Sequence, residues 1–434
     1  MILQIKPFIG LSVLFLSVFF SCGQTKKTEG LEVIPIEAAY LHPTTLKASD
    51  YFRKIRYVPL ETNDHALVGS DPVVWISGDR LIVSSNQKQC LSFDKATGRF
   101  VSSIGHIGND PEGSQSLFGW MNAAAGHVYF PAGNGRSVVY DKDGNFVGDQ
   151  QDLEVTNGIY GVDTYDYLDK DILVEHLPAT EDKPDRIILF RDTTLLASFP
   201  SHGEPHSPLS GAMTDILEMN IHQHTETGYD VIYITFKDGR QNCLVPSEQI
   251  FWHKGKDLFF RETFNDTIYQ VETTGLTPVK RFDFGTMRWD RKDRYNPEKD
   301  QAFYPLDVCE SDRILWLRFV VNLHHQEQWK VYNAIYDKIN GDVKVAPFKE
   351  GIHDDLNGFL PLQPTFATPS GEFAQLVPAG KILEWFEKHT GQEDWPEEIK
   401  ALKKLTEEDN PVVILMLSLI HISEAHETRR HLVC

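Results

Sequence analysis

Three short strings constrain the architecture of this chain more than any other feature. They are Phe93-Asp94-Lys95 followed by Gly98, Tyr140-Asp141-Lys142 followed by Gly144, and Tyr336-Asp337-Lys338 followed by Gly341. Each ends an apolar run and precedes a second strand-like run. An aromatic-Asp pair at a strand end, then a turn containing glycine, is the chemistry of a β-hairpin. The aspartate accepts backbone N–H bonds and the glycine supplies a positive φ. Asp94 and Asp141 lie 47 residues apart, and Asp141 to Asp337 covers 196, about four such periods. Two degenerate copies fill that interval. One is Ile187-Ile188-Leu189-Phe190 with Arg191-Asp192; the other is Thr267-Ile268-Tyr269-Gln270-Val271, turning at Gly275. The later intervals are longer, so insertions make up the difference. Five hairpins plus a terminal segment predict six units.

The rest of the chain reads the same way. Arg80-Leu81-Ile82-Val83-Ser84, His127-Val128-Tyr129-Phe130, Val231 to Phe236, Asp257 to Phe260 and Arg313 to Phe319 are β-branched or aromatic runs between Gly, Asp and Asn turns. A single such unit cannot bury both faces of its sheet; stacking units radially does, and leaves only short edges. The expected fold is therefore all-β, a six-bladed β-propeller with a short C-terminal helical insertion around Ile382–Glu387 and Glu397–Leu405. One blade is expected to join both ends of the chain, Ile55–Leu60 with Val412–Leu415. The alternative, a β-sandwich with further domains, lacks the Pro/Ser-rich linker that would divide the chain.

The N-terminus carries an address. Lys6 precedes an apolar stretch from Ile9 to Phe20, then Ser21 and Cys22. This is the order of a secretory signal ending in a small residue before cysteine, and the stretch is too short for a comfortable membrane span. It resembles a bacterial lipoprotein signal, in which Cys22 is the lipidated residue. The sequence reading assigns 1–21 to the signal, 22–40 to a flexible polar tether, 41–416 to the propeller and 417–434 to a non-native tail. Leu417 to Glu424 resembles translated sequencing-adapter read-through. The formal net charge of −20 disfavours nucleic acid and anionic lipid surfaces as partners.

The chain resembles the six-bladed β-propeller lipoproteins of Bacteroidota, distantly like NHL-repeat proteins, over about residues 40 to 416. The resemblance is carried by Tyr57-Val58-Pro59-Leu60-Glu61-Thr62, the Phe93 hairpin, Ile104 to Glu112, Asn265-Asp266-Thr267-Ile268-Tyr269, Phe282-Asp283-Phe284-Gly285 and Asp409-Asn410-Pro411-Val412. Where the family has a Gly-Pro-Gly-Glu-like run, this chain has Gly108-Asn109-Asp110-Pro111-Glu112-Gly113. The family implies no established activity. Surface-export signals of such lipoproteins are acidic after the cysteine; Lys26 and Lys27 stand here instead, which implies an outer-membrane anchor facing the periplasm, with surface display as the other possibility.

No motif names a reaction. Gly105-His106-Ile107-Gly108 completes neither a dinucleotide fingerprint nor a P-loop, and reads as an inter-blade loop. His222-Gln223-His224, with Glu226 and Asp230 nearby, would put two imidazoles on one strand face, but spacing fixes no third metal ligand. His324-His325 would point to opposite faces, and His202 and His206 read as loop. Asp163, Asp166, Asp169 and Asp171, and His353-Asp354-Asp355, read as turns; the first group lacks the glycine and terminal glutamate of an EF-hand loop. Ser207 and Ser210 near His206 form no nucleophile elbow. Cys90, Cys243, Cys309 and Cys434 form no CxxC pair. No cofactor, metal or catalytic residue is therefore assigned. Trp120, Trp252, Trp289, Trp316 and Trp329 fall in different units. Most should pack between blades, and one or two at the mouth would grip a sugar ring or a peptide. The reading is a membrane-anchored binding or scaffold module for a glycan, peptide or partner protein, more a binder than an enzyme. Its rival is a lyase, lactonase or glycosidase with a carboxylate-lined funnel.

Overall fold

The structure, a computed structural model, describes residues 31–419 apart from 86–87, 118, 152–163, 178–185, 202–214, 225–226, 228, 247, 291–292, 294–295, 297–298, 300, 326–327 and 391–394. Cys22, His202, His206, Ser207, Ser210, Glu226, Asp163 and Cys434 lie outside the described residues.

The chain is mostly β and folds into successive antiparallel meanders. Sheet A comprises Val73–Ser77, Arg80–Ser85, Gln89–Asp94 and Phe100–Ser103; sheet B comprises Trp120–Asn122, His127–Gly133, Arg136–Asp141 and Phe146–Gln151. Sheet C comprises Thr164–Tyr167, Ile172–Leu177, Arg186–Arg191 and Thr194–Pro200, and sheet D has three strands, Ile216–Gln223, Asp230–Phe236 and Gln241–Leu244. Sheet E comprises Phe251–Lys254, Asp257–Phe260, Thr267–Glu272 and Gly275–Asp283; sheet F comprises Tyr304–Glu310, Ile314–Val321, Lys330–Asp337 and Asp342–Pro347. Sheet G takes Phe366–Ala367, Glu372–Val377 and Val412–Ser418 from one end of the chain and Phe52–Pro59 from the other.

Apolar clusters link the sheets face to face. Val128 and Phe130 of B pack on Ile82 and Cys90 of A, and Tyr129 of B meets Tyr167 of C. Val174 and Leu189 of C then pack directly on Phe251 and Phe260 of E, bypassing D. Phe259 of E meets Leu317 of F, Trp316 of F meets Ile414 of G, and Val413 of G meets Leu81 of A. The contacts thus return to their start, the radial stacking of a β-propeller, which buries both faces of each sheet. Sheet D stands apart. Its Val231 and Cys243 pack on Tyr304, Leu306, Val320 and Leu323, at the end of sheet F where its first strand begins.

The repeated string has a physical meaning. Asp94 Oδ1 accepts from the N–H groups of Ala96 and Thr97, Asp141 Oδ1 from those of Asp143 and Asn145, and Asp337 Oδ1 from that of Ile339. Gly98 follows at φ +73°, and a Cβ there would lie 2.0 Å from the Pro59 carbonyl oxygen, so only glycine fits both the turn and the adjoining sheet G.

Two expected boundaries move. Residues 31–40 do not belong to the tether. Glu32–Pro35 pairs in parallel with the outer strand of sheet E, and Ile34 and Ile36 are buried, because two apolar side chains there find a core to enter. The last strand of sheet G continues to Ser418, so Leu417 and Ser418 are strand and not tail; Leu417 pairs with Glu372 and with Lys54. Between the strands of sheet G, Ala379–Lys388 and Glu397–Ala401 are helical, each entered just after a proline. Ile382, Ile399 and Leu402 seat them on the F–G core.

Candidate functional site

The first strands of sheets A, B, C, E, F and G face one another around a cavity of about 600 Å³. The inner strands present consecutive residues to this funnel, Tyr165 with Asp166 and Trp252 with His253. Aromatic residues form much of the wall, among them Trp75, Trp120, Tyr165, Trp252 and Phe366. Trp120 is half-buried. It stacks on Tyr129 with ring centroids 5.5 Å apart, meets Tyr165 edge-on at 5.0 Å, and donates through Nε1 to the Tyr167 hydroxyl at 3.2 Å. Three contacts fix the indole before any ligand arrives.

Charged groups converge from different sheets. His253 of sheet E places Nε2 3.0 Å from Asp166 Oδ1 of sheet C. The same oxygen accepts the Tyr167 N–H at 2.6 Å. A carboxylate accepts only, so Nε2 carries the proton in this hydrogen bond. Asp307 of sheet F follows a slip in register between Pro305 and Asp307, and such a bulge re-aims a side chain. Its Oδ2 receives Arg318 Nη1 at 2.7 Å and the hydroxyl of Tyr229. Arg318 is buried, donates to the Pro364 carbonyl at 3.2 Å, and lies over the Phe348 ring with its guanidinium carbon 4.8 Å from the centroid. Burial pushes the Tyr229 hydroxyl well above the ordinary tyrosine range, and the Asp307 charge adds to this against the opposing pull of Arg318. Tyr229 therefore stays a neutral donor.

Tyr229 does not come from an inner strand. It immediately precedes the second strand of sheet D, and with Thr227 it brings the inserted sheet to the funnel wall. Glu310, also on the wall, is fully buried. Trp252 Nε1 donates to it at 2.7 Å, Lys338 Nζ lies at 2.6 Å, and Lys280 Nζ bonds the same oxygen as Lys338. Burial opposes its ionisation, but the two ammonium groups outweigh this and hold its carboxyl below the ordinary range. It is a structural anion.

Of the residues singled out in the sequence, the structure brings Trp120, Trp252, Asp166 and Cys309 to the funnel. Trp289, Trp316 and Trp329 are buried in apolar clusters. Asp169 closes a turn, accepting from the N–H groups of Asp171 and Ile172. Asp354 accepts the Tyr57 hydroxyl at 2.6 Å, and Asp355 holds Ser49. His224 lies against Trp329 and bonds Thr227. Cys90, Cys243 and Cys309 are buried thiols outside any disulfide, that of Cys309 pushed up to about 12 by burial. Among the described residues no group of three or more His, Cys, Asp or Glu is placed to hold a metal ion, and no helix is long and apolar enough to cross a membrane. Sequence reasoning missed His253, Asp307, Arg318 and Tyr229. His253 and Asp307 lie on first strands, whereas Arg318 lies on the second strand of sheet F and Tyr229 just before the second strand of sheet D, so no shared local signal marked them.

Residues 31–416 match the family described as Domain of unknown function (DUF4934). The chain belongs to that family. No curated protein matches it significantly. Among solved structures it is similar to a "Putative exported protein" from Bacteroides fragilis NCTC 9343, at 15% identity and a TM-score of 0.50, covering 86% of this chain and 97% of that one. At that identity the likeness speaks to fold alone. The RRP9 WD40 repeats match at 9% identity and a TM-score of 0.36 over 87% of this chain and all of theirs. The β-propeller domain of Myceliophteria thermophila Cps50 (Swd1) matches at 11% identity and 0.33, over 84% of this chain and 100% of that one.

Proposed function

We propose that this chain is a cell-envelope lipoprotein, anchored to the outer membrane through Cys22 and facing the periplasm, whose six-bladed ring binds a ligand in its central funnel. Sheets A, B, C, E, F and G are the blades; sheet D is an insertion that reaches the funnel at Tyr229. The ligand class is a glycan, a peptide or a segment of a partner protein. One observation carries this reading: inner strands far apart in sequence bring aromatic and hydrogen-bonding side chains into a single cavity. Its size lies within the roughly 300–1,000 Å³ usual for ligand pockets. The anchor is tested by phase partition of the full-length protein. Cys22→Ser should move it from the detergent phase to the aqueous phase; an unchanged partition would sink the lipoprotein reading.

A second reading, a propeller enzyme of lyase, lactonase or glycosidase type, is favoured by the convergence of Asp166, Asp307 and Glu310. Binding is preferred because Asp307 and Glu310 already face cations and Asp166 already receives the His253 N–H. Turnover of oligosaccharides or lactones, abolished by Asp166→Asn, would reverse that preference.

A further inference from the structure

We infer that the funnel takes a neutral short oligosaccharide, a step that rests on the funnel being a ligand site at all. The inference comes from what its polar groups still lack. Asp166 uses Oδ1 for His253 and Tyr167, and among the described residues no donor engages its Oδ2. Asp307 uses Oδ2 for Arg318 and Tyr229, and its Oδ1 is likewise unengaged. The cavity thus presents two fixed carboxylate acceptors, from Asp166 and Asp307, and a ligand that left them dry and unpaired would lose affinity. The occupant must be rich in donors.

Charge narrows the class. The net charge of −20 repels anionic glycans. Arg318 neutralises Asp307, and the Asp166 carboxylate is hydrogen-bonded in place, so a cationic ligand is not required to balance the site. A peptide backbone holds its carbonyl acceptors and N–H donors in fixed alternating directions, and cannot turn them to suit a wall that sets carboxylate oxygens beside the Gln249 amide and the Trp75 indole. A sugar hydroxyl is both donor and acceptor and can turn to suit. The aromatic wall completes the match. Trp120, clamped by Tyr129, Tyr165 and Tyr167, is a rigid flat surface suited to the apolar face of a pyranose ring. A cavity of about 600 Å³ suits a short saccharide and excludes a folded partner domain.

The test uses the full-length protein in detergent against three immobilised arrays: neutral di- to tetrasaccharides of gluco, galacto, manno and xylo configuration; unmodified decapeptides; and linear polyamines. Hits are confirmed by titration with the free compound. The expected result is retention of at least one neutral saccharide series, weakened tenfold or more by Asp166→Asn and by Trp120→Ala. Asp166→Asn is nearly isosteric and guards against a Trp120 variant that fails to fold. Retention of peptides or polyamines alone, lost in those variants, would overturn the saccharide assignment and leave the funnel reading standing. No retention on any array, or saccharide retention indifferent to both substitutions, would overturn the funnel reading itself.

Discussion

Sheets A, B and F keep the aromatic-Asp-Lys string; sheets C and E have lost it, and the two groups solve the same hairpin differently. In the first group the aspartate ties down the turn, a glycine at φ between +73° and +85° follows, and the lysine reaches out as a strap. Lys142 of sheet B lies 2.9 Å from Asp79 of sheet A, Lys95 of sheet A lies 2.8 Å from Glu372 of sheet G, and Lys338 of sheet F lies 2.6 Å from Glu310. Sheet C turns instead through Asp192 and Thr193, with Asp192 held at φ +51°, and sheet E through Thr273 and Thr274. A two-residue hairpin is closed by its own backbone. Where side chains make the turn, the sequence must keep them; where the backbone makes it, the sequence is free to drift. The drifted side of the ring is also the side that carries the inserted sheet D, between C and E.

The largest test of this contrast lies at sheet G, which has no string and is closed by the two ends of the chain. Deleting 410–434 removes its third strand, strips the partner from Phe52–Pro59 and uncovers the residues that Val413, Ile414 and Leu415 pack on, among them Leu81 and Trp316; no cooperative thermal transition should remain. Deleting 420–434 should leave the melting temperature unchanged. Equal behaviour of the two truncations would break the assignment of ring closure.

Turn chemistry gives the next effect. Asp141→Ala removes hydrogen bonds to two backbone N–H groups and to the Asn145 amide, and should cost about 1–2 kcal/mol in urea unfolding. Asp192→Gly, which frees a left-handed residue from its Cβ, should be neutral or stabilise by up to about 1 kcal/mol. If both cost the same, the distinction between the two kinds of hairpin fails.

Acid unfolding sharpens the same point. The Thr97 hydroxyl, joined by backbone donors, holds the Asp94 carboxyl below the usual aspartate range. At Asp141, slight burial works the other way and is outweighed by the Asn145 amide and backbone donors. Both pKa values are depressed on folding, so their contribution is present above the unfolded value of about 4 and is lost as pH falls through the folded values. The double variant Asp94→Asn/Asp141→Asn should show a shallower loss of urea midpoint below about pH 4 and the wild-type slope above pH 6. An unchanged acid limb would place the sensitivity elsewhere.

The smallest effect is expected at the insertion. Tyr229→Phe removes one hydroxyl from the Asp307–Arg318 pair and leaves that pair intact, at a cost of about 1 kcal/mol to the docking of sheet D. Hydrogen exchange should quicken in Asp230–Phe236 and Gln241–Leu244 while sheet A keeps its protection. Uniform quickening would mean that the insertion is part of the ring's cooperative unit.

Legibility followed the range of the interactions involved. The hairpins at Asp94, Asp141 and Asp337 were readable because donor and acceptor lie within four residues. The closing strand was readable because Val412–Leu415 is apolar with no local partner. Asp166 was read as a turn residue, since its neighbours Asp169 and Asp171 do form one; only its partner His253, 87 residues away, draws it into the funnel. The boundary of the tether lies earlier than residue 40 because Val33-Ile34-Pro35-Ile36 is a short apolar run whose partner, the outer strand of sheet E, lies about 250 residues away, and its burial there is announced by no local pattern.

By itself, then, the sequence determined the strand rhythm, the turn chemistry and the need for both chain ends to meet, since these rest on local backbone preferences and on apolar faces that must be covered. Tertiary structure alone decided which strand of each sheet faces the axis, that sheet C packs on sheet E with sheet D set aside, and that Asp166, His253, Asp307, Arg318 and Tyr229 share one cavity. Those are long-range pairings. Their energies arise only when sheets distant in the chain exclude water between them, and no short stretch of sequence encodes its partner.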